Sequence, residues 1–169
     1  FEVGNELGLG KAKLKDIISA LKKIYEGTIG FEYMYIRHAD RLEWFKHKIE
    51  KESLSYKPKP NEVKRILSKL NEAVVFENFL HTKYIGQKRF SLEGLEALVP
   101  ALDTLVQKGS DLGVEHFVVG MAHRGRLNVL VNILGKTYEY VFSEFEGAMP
   151  EDAIFGDGDV KYHLGFSSA

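Results

Sequence analysis

A chain of 169 residues that is 44% hydrophobic and 28% charged has the balance of an ordinary globular protein, long enough to bury roughly 70% of its extended-chain surface in one domain or one and a half. Its formal net charge of −1 gives no global field that would recruit nucleic acid or an anionic membrane, so any anion binding has to be local. The absence of cysteine excludes disulfides, thiolate metal sites and a cysteine nucleophile, and no apolar run reaches the about 18 residues of a transmembrane helix.

Gly4, Gly8 and Gly10 mark an irregular opening segment. Leu14, Ile17, Ile18, Leu21, Ile24 and Tyr25 recur at helical spacing, with lysines between them and Gly27 behind, which predicts an amphipathic helix with a glycine stop. Phe31–Ile36 (FEYMYI) is aromatic-rich and reads equally as a short strand or a buried loop. Asp40 is a candidate cap for a second short helix through Leu42, Phe45 and Ile49, carrying the only tryptophan, Trp44. Lys51–Pro60 (KESLSYKPKP) lacks apolar period and holds two prolines, so it reads as a linker.

Asn61 is an N-cap candidate for a long helix with Val63, Ile66, Leu67, Leu70, Val74, Phe79 and Leu80 on its core face. Ser91 can cap the next helix, with a stripe of Leu92, Leu95, Leu98, Val99, Leu102, Leu105 and Val106. Pro100 predicts a kink or a boundary within it, and Gly109 and Gly113 its end. The β-branched run His116–Met121 predicts a strand, and Leu127, Leu130, Val131 and Leu134 a helix after it. Val141, Phe142 and Phe145 predict a last helix over 138–145, followed by an acidic, glycine-rich loop over 147–159 and a strand or extended segment over 160–166. The order of elements, helices first and then a helix–strand–helix unit, looks like the opening of an α/β sheet and so an α/β fold class, with the chain as a whole mostly helical.

Between the predicted strand and its helix stand Ala122-His123-Arg124-Gly125-Arg126. Ligands of open α/β sheets bind at that edge, where free backbone N–H groups and the helix dipole favour phosphate or carboxylate. Arginines at a helix start oppose the dipole unless an anion arrives. The plainer reading, solvated arginines and a hydrogen-bonded loop histidine, stands beside that one.

KRFSLEGLEALVPALDTLV, VVGMAHRGRLNVLVNILGK and GDVKYHLGFSS, in that order, resemble the decarboxylating, thiamine diphosphate-dependent first component of the 2-oxoglutarate dehydrogenase complex. The resemblance covers about residues 12–168 and is most specific in the second half. It implies that residues 1–60 belong to the small helical region of that family and 61–169 to the incomplete start of its cofactor-diphosphate domain. It further implies His123 and His163 as catalytic histidines facing the substrate, and Arg124 as a residue of the cofactor and substrate pocket. Imidazoles suit such chemistry because they donate and accept protons near neutral pH, while the cofactor stabilises the carbanion.

The implied activity is that of an oxidoreductase of the tricarboxylic acid cycle: oxidative decarboxylation of 2-oxoglutarate with succinyl transfer to the lipoyl-bearing succinyltransferase component. The implied setting is a homodimer in bacterial cytoplasm or the mitochondrial matrix, without nucleic-acid or membrane partners. The implied cofactors are thiamine diphosphate and magnesium. Gly156-Asp157-Gly158 imitates the opening of a magnesium motif, but that motif needs an Asn-Asn pair downstream and none of the eleven residues after Gly158 is Asn. Asp157 and Asp159 are therefore not assigned to the metal, whose ligands are expected outside this chain. The chain reads as a fragment that is expected to be inactive alone. The competing readings are a non-catalytic module in which Arg124 and Arg126 hold a phosphate or nucleotide, and a docking role for residues 1–60.

Overall fold

In the computed structural model, which describes residues 1–3, 7–53, 55–147 and 163–168, the chain separates into two units, Phe1–Pro58 and Lys59–Ala169. In the first, the predicted stripe folds as α1, Leu14–Tyr25. Asp16 in its first turn and Lys22 and Lys23 in its last complement the helix dipole. Ile24 packs with Leu7, Tyr33 and Ile49 in a small core flanked by Ile17, Leu21 and Leu42. FEYMYI is a turn: the Ile36 N–H donates to the Tyr33 carbonyl at 3.0 Å, so that Tyr33 enters the core while Met34 and Tyr35 stay exposed. The Tyr25 and Tyr33 hydroxyls meet at 2.6 Å and that of Tyr25 donates to Glu50 at 2.7 Å. Burial first, then these hydrogen bonds, push the Tyr25 hydroxyl far above the usual phenol range.

The second helix, α2, spans Ala39–His47 with His38 at the cap, so Asp40 lies in the first turn, where its carboxylate still faces the positive end of the dipole. A π-helical turn, Lys48–Glu52, continues it, buries Ile49 and takes in Lys51 and Glu52, which the sequence assigned to a linker.

In the second unit, α3 spans Pro60–Lys83. It begins at proline, whose missing N–H costs nothing in a first turn, and the Lys59 N–H donates to Glu62 at 2.6 Å; Asn61 is inside the helix rather than at its cap. The buried positions are Ala73, Phe76, Glu77 and Leu80, spaced i, i+3, i+4, i+7. Most of the stripe expected to face the core, including Val63, Leu67, Val74 and Phe79, is exposed. The reason is that α3 carries two apolar stripes, and its neighbours among the described residues cover the one that contains a carboxylate. Helix α4, Leu98–Asp111, starts seven residues after the expected cap Ser91, because Pro100 is confined to a first turn. A two-point ion pair joins α3 to α4: Arg65 Nε to Asp103 Oδ2 at 2.6 Å and Nη2 to Oδ1 at 3.0 Å. Gly109 lies inside α4 instead of ending it, and a Cβ there would come within 2.7 Å of the Phe117 ring.

The strand expected over 116–121 is not formed. The segment has no regular secondary structure and pairs with no backbone among the described residues, and Val118 is 99% exposed. A strand exists only through its partner. The described residues therefore contain helices and one isolated bridge, Glu2 to Lys11, but no strand: the mostly helical character expected of the chain is observed, and the strand expected to open an α/β sheet is not. The expected strand over 160–166 lies outside the described residues up to 162; residues 164–168 are irregular.

Helix α5, Arg126–Asn132, buries Leu127 to Val131. Helix α6, Tyr138–Glu146, is capped by the Thr137 hydroxyl, which accepts from the Tyr140 N–H at 3.2 Å, and is closed by Gly147 at φ 72°. With α3 they enclose the main core of Phe76, Leu80, Tyr84, Leu127, Leu130, Val141 and Phe145. Tyr84 stacks on Phe145 at 4.5 Å and donates its hydroxyl to Glu146; burial and then that bond raise its pKa. Lys136 Nζ reaches Glu144 Oε1 at 2.6 Å, both side chains buried, and lies 4.4 Å from the Tyr140 ring centre.

Candidate functional site

Two short segments of the second unit are matched residue by residue. The Phe90 carbonyl accepts from the Gly125 N–H at 2.9 Å, and the Ser91 carbonyl from Arg124 Nη1 at 2.9 Å. The Leu92 side chain fills the space where a Cβ on Gly125 would come within 2.3 Å of it. Gly125 is the N-cap of α5 at φ 73°, so both conformation and space require glycine. Leu92 is itself fixed, since its N–H donates to Glu77 Oε1 at 3.1 Å. The same oxygen accepts from Asn128 Nδ2 at 3.2 Å, and Asn128 also donates to the Ala73 carbonyl at 3.0 Å. Glu77 and Asn128 are 4% and 0% exposed, and their network ties α3, the 90–92 segment and α5 together.

His123 sits at the exposed end of this assembly. Its carbonyl accepts from the Arg126 N–H at 3.1 Å, and its ring lies 4.0 Å, centre to centre, from the Phe90 ring at 36°. Phe90 has φ 48°, a left-handed conformation that costs a bulky residue about 1–3 kcal/mol. The His163 ring stands 6.0 Å from that of His123, inclined by 30°. The structure thus brings together two of the residues predicted from sequence, 40 positions apart. At this separation one oxygen-bearing substrate group can reach both imidazoles as donors or acceptors.

Both arginines have backbone partners. Arg124 is exposed and holds Ser91 as described. Arg126 is half-buried; Nη1 donates to the Met121 carbonyl at 3.2 Å and Nη2 to the Leu164 carbonyl at 3.3 Å, which joins the 116–121 segment to the one bearing His163. A cavity of about 130 Å³ opens beside it, lined by Val119, Met121, Leu130, Leu134 and Phe166. Carbonyl oxygens thus partner both guanidiniums at this helix start, and Arg124 stays exposed.

Among the described residues no group of three or more His, Asp or Glu could hold a metal ion. Asp157, Asp159 and Gly156 to Gly158 lie outside the described residues. Sequence reasoning missed Glu77, Asn128 and Phe90. A carboxylate four residues after Ala73 and three before Leu80 was the available signal for Glu77; the positive φ of Phe90 had none.

No protein-family model matches the chain. It is 47% identical over 165 residues to the multifunctional 2-oxoglutarate metabolism enzyme of Mycolicibacterium vanbaalenii, covering 98% of the chain and 13% of that protein. It is 48% identical over 167 residues to the 2-oxoglutarate dehydrogenase E1/E2 component of Corynebacterium glutamicum, covering 98% and 13%. With the mitochondrial 2-oxoglutarate dehydrogenase of Saccharomyces cerevisiae it shares 46% identity over 160 residues, covering 95% and 16%. The chain thus spans less than a fifth of the length of the curated relatives it matches. Over almost its whole length this chain is homologous to a segment of the 2-oxoglutarate dehydrogenase E1 components.

Proposed function

We propose that this chain is part of a 2-oxoglutarate dehydrogenase decarboxylating component and contributes His123 and His163 to its active site. The reaction is the thiamine diphosphate-dependent oxidative decarboxylation of 2-oxoglutarate, with succinyl transfer to a lipoyl-bearing partner. The observation that carries the reading is the 6.0 Å approach of the two imidazoles in a chain of this homology. The imidazoles donate hydrogen bonds to the substrate's oxygens and move protons near neutral pH as charge develops there. The exposed Arg124 guanidinium offers positive charge to a carboxylate or diphosphate at the same rim.

The donor set fits the substrate side of such a site. It does not fit the metal, for which the described residues offer no acidic cluster; magnesium ligands are assigned to other parts of the full-length protein. Thiamine diphosphate, when bound, supplies the carbon nucleophile and the electron sink. Residues 61–169 form the beginning of its diphosphate domain, with 116–121 as a strand once a neighbouring backbone pairs with it, and residues 1–60 form the small helical region. A homodimer in bacterial cytoplasm or the mitochondrial matrix belongs to the same reading. The phosphate-module alternative has less support, because Arg126 is engaged by two carbonyls.

The test is His123→Ala and His163→Ala in the full-length enzyme. A loss of kcat by about 10²–10⁴-fold is expected for a proton-transferring histidine, with the far-ultraviolet circular dichroism unchanged. Parental turnover in both variants overturns the assignment.

A further inference from the structure

We propose that Phe90 is a positioning residue for His123, an inference that rests on the proposed catalytic role of that histidine. Phe90 combines two features that core packing alone does not demand. Its backbone lies at φ 48°, where a bulky residue persists only if its surroundings over-determine it. Its ring contacts the imidazole of His123 rather than only the apolar core behind it, with the two centres 4.0 Å apart.

The surroundings supply the determination. The Gly125 N–H holds the Phe90 carbonyl, Arg124 holds the next carbonyl, and Leu92 is anchored on one side by the buried Glu77 carboxylate and on the other by the cleft left by Gly125. Three of these contacts fix residues 90–92 against residues 124–125, and the fourth, from Leu92 to Glu77, ties the same segment to α3. The result is a rigid aromatic wall on one side of His123, with His163 6.0 Å away. An imidazole so confined cannot turn freely about its outer torsion, so the nitrogen it offers to a substrate is set before binding, which is where pre-organisation contributes to rate.

A residue that merely fills space is replaceable by an aliphatic one of similar volume; a residue that orients a ring is not. The experiment compares Phe90→Leu and Phe90→Tyr in the full-length enzyme, reading kcat and KM together with the rate at which diethylpyrocarbonate labels His123, followed by peptide mass spectrometry without substrate. Phe90→Leu is expected to lower kcat by about tenfold with KM nearly unchanged, the pattern of a misplaced catalytic group, and to speed His123 labelling; Phe90→Tyr restores both. Phe90→Met carries the same expectations should the leucine variant not fold. Unchanged kcat or unchanged labelling in the aliphatic variant overturns the inference, as does failure of tyrosine to restore them. His123→Gln separates the two levels: parental turnover there overturns the proposed function, whereas loss of turnover there beside an unaffected Phe90→Leu overturns only the positioning role.

Discussion

Lys136 and Glu144 meet at 2.6 Å with both side chains 1% exposed, directly beneath the aromatic cluster of α6. Removing one partner leaves a charge without its counter-ion in a low-dielectric core. Lys136→Ala is therefore expected to destabilise the chain by about 3–5 kcal/mol, read from the denaturant midpoint. The double replacement Lys136→Met with Glu144→Leu is expected to recover most of that loss, since it removes the desolvation cost along with the attraction.

Gly125 and Gly147 have the same left-handed conformation, φ 73° and 72°, but only Gly125 faces a neighbour within 4 Å. Asparagine tolerates that conformation, so Gly147→Asn is expected to change the melting temperature little. Gly125→Asn still drives a Cβ into Leu92 and is expected to lower it by several degrees, corresponding to about 1–3 kcal/mol of overpacking. Equal effects at the two sites would show that conformation, not space, governs both.

Glu77 serves two donors at once, the Leu92 N–H and the Asn128 amide. Glu77→Leu leaves the Leu92 N–H unsatisfied and the Asn128 amide with only the Ala73 carbonyl, at about 1–3 kcal/mol for the orphaned donor, and also removes the carboxylate that faces Arg89 at 3.7 Å; Glu77→Gln, which keeps an acceptor oxygen but not the charge, is expected to lose less. Equilibrium unfolding of the two variants compares them directly.

Arg126 spans two carbonyls with separate nitrogens, a geometry that lysine cannot reproduce. Arg126→Lys is expected to speed proteolytic cleavage within residues 163–168 while leaving α3 intact. Unaltered cleavage there would remove its role as the tether of the His163 segment.

The Glu96 carboxyl is held below the usual carboxylate range by backbone N–H groups, its own first and that of Gly94 next, at 2.9 Å. Because the folded-state pKa is depressed, the stabilisation is present above the ordinary value of 4.5 and disappears as pH falls through the folded pKa. Glu96→Gln is thus expected to narrow its stability deficit as pH is lowered from 7 to 3, as thermal melts at each pH would report.

Helices α1 and α6 were legible because each has one apolar stripe and a recognisable end, Gly27 beyond α1 and Thr137 and Gly147 around α6. The face of α3 was not, because periodicity finds stripes without saying which one a neighbour covers; the covered one carries Glu77, a residue that a hydrophobic pattern skips. The 116–121 segment has strand composition, but pairing is a non-local event that composition does not supply. His123 and His163 were named from motif resemblance. Their distance, the wall of Phe90 and the clamp of Arg126 depend on tertiary contacts from α3 and the 90–92 turn, which no local spacing encodes.

The Phe117 ring over Gly109 fixes the phase of the chain that follows. Phe117 is half-buried over Gly109, Val119 and Met121 line the small cavity, and Val118 between them is 99% exposed, the alternation that a strand requires. Any backbone that comes to lie alongside must accept that parity, since a slip by one residue would lift Phe117 from its notch and turn every side chain over. Gly109 thereby sets the register of an edge several residues away from it.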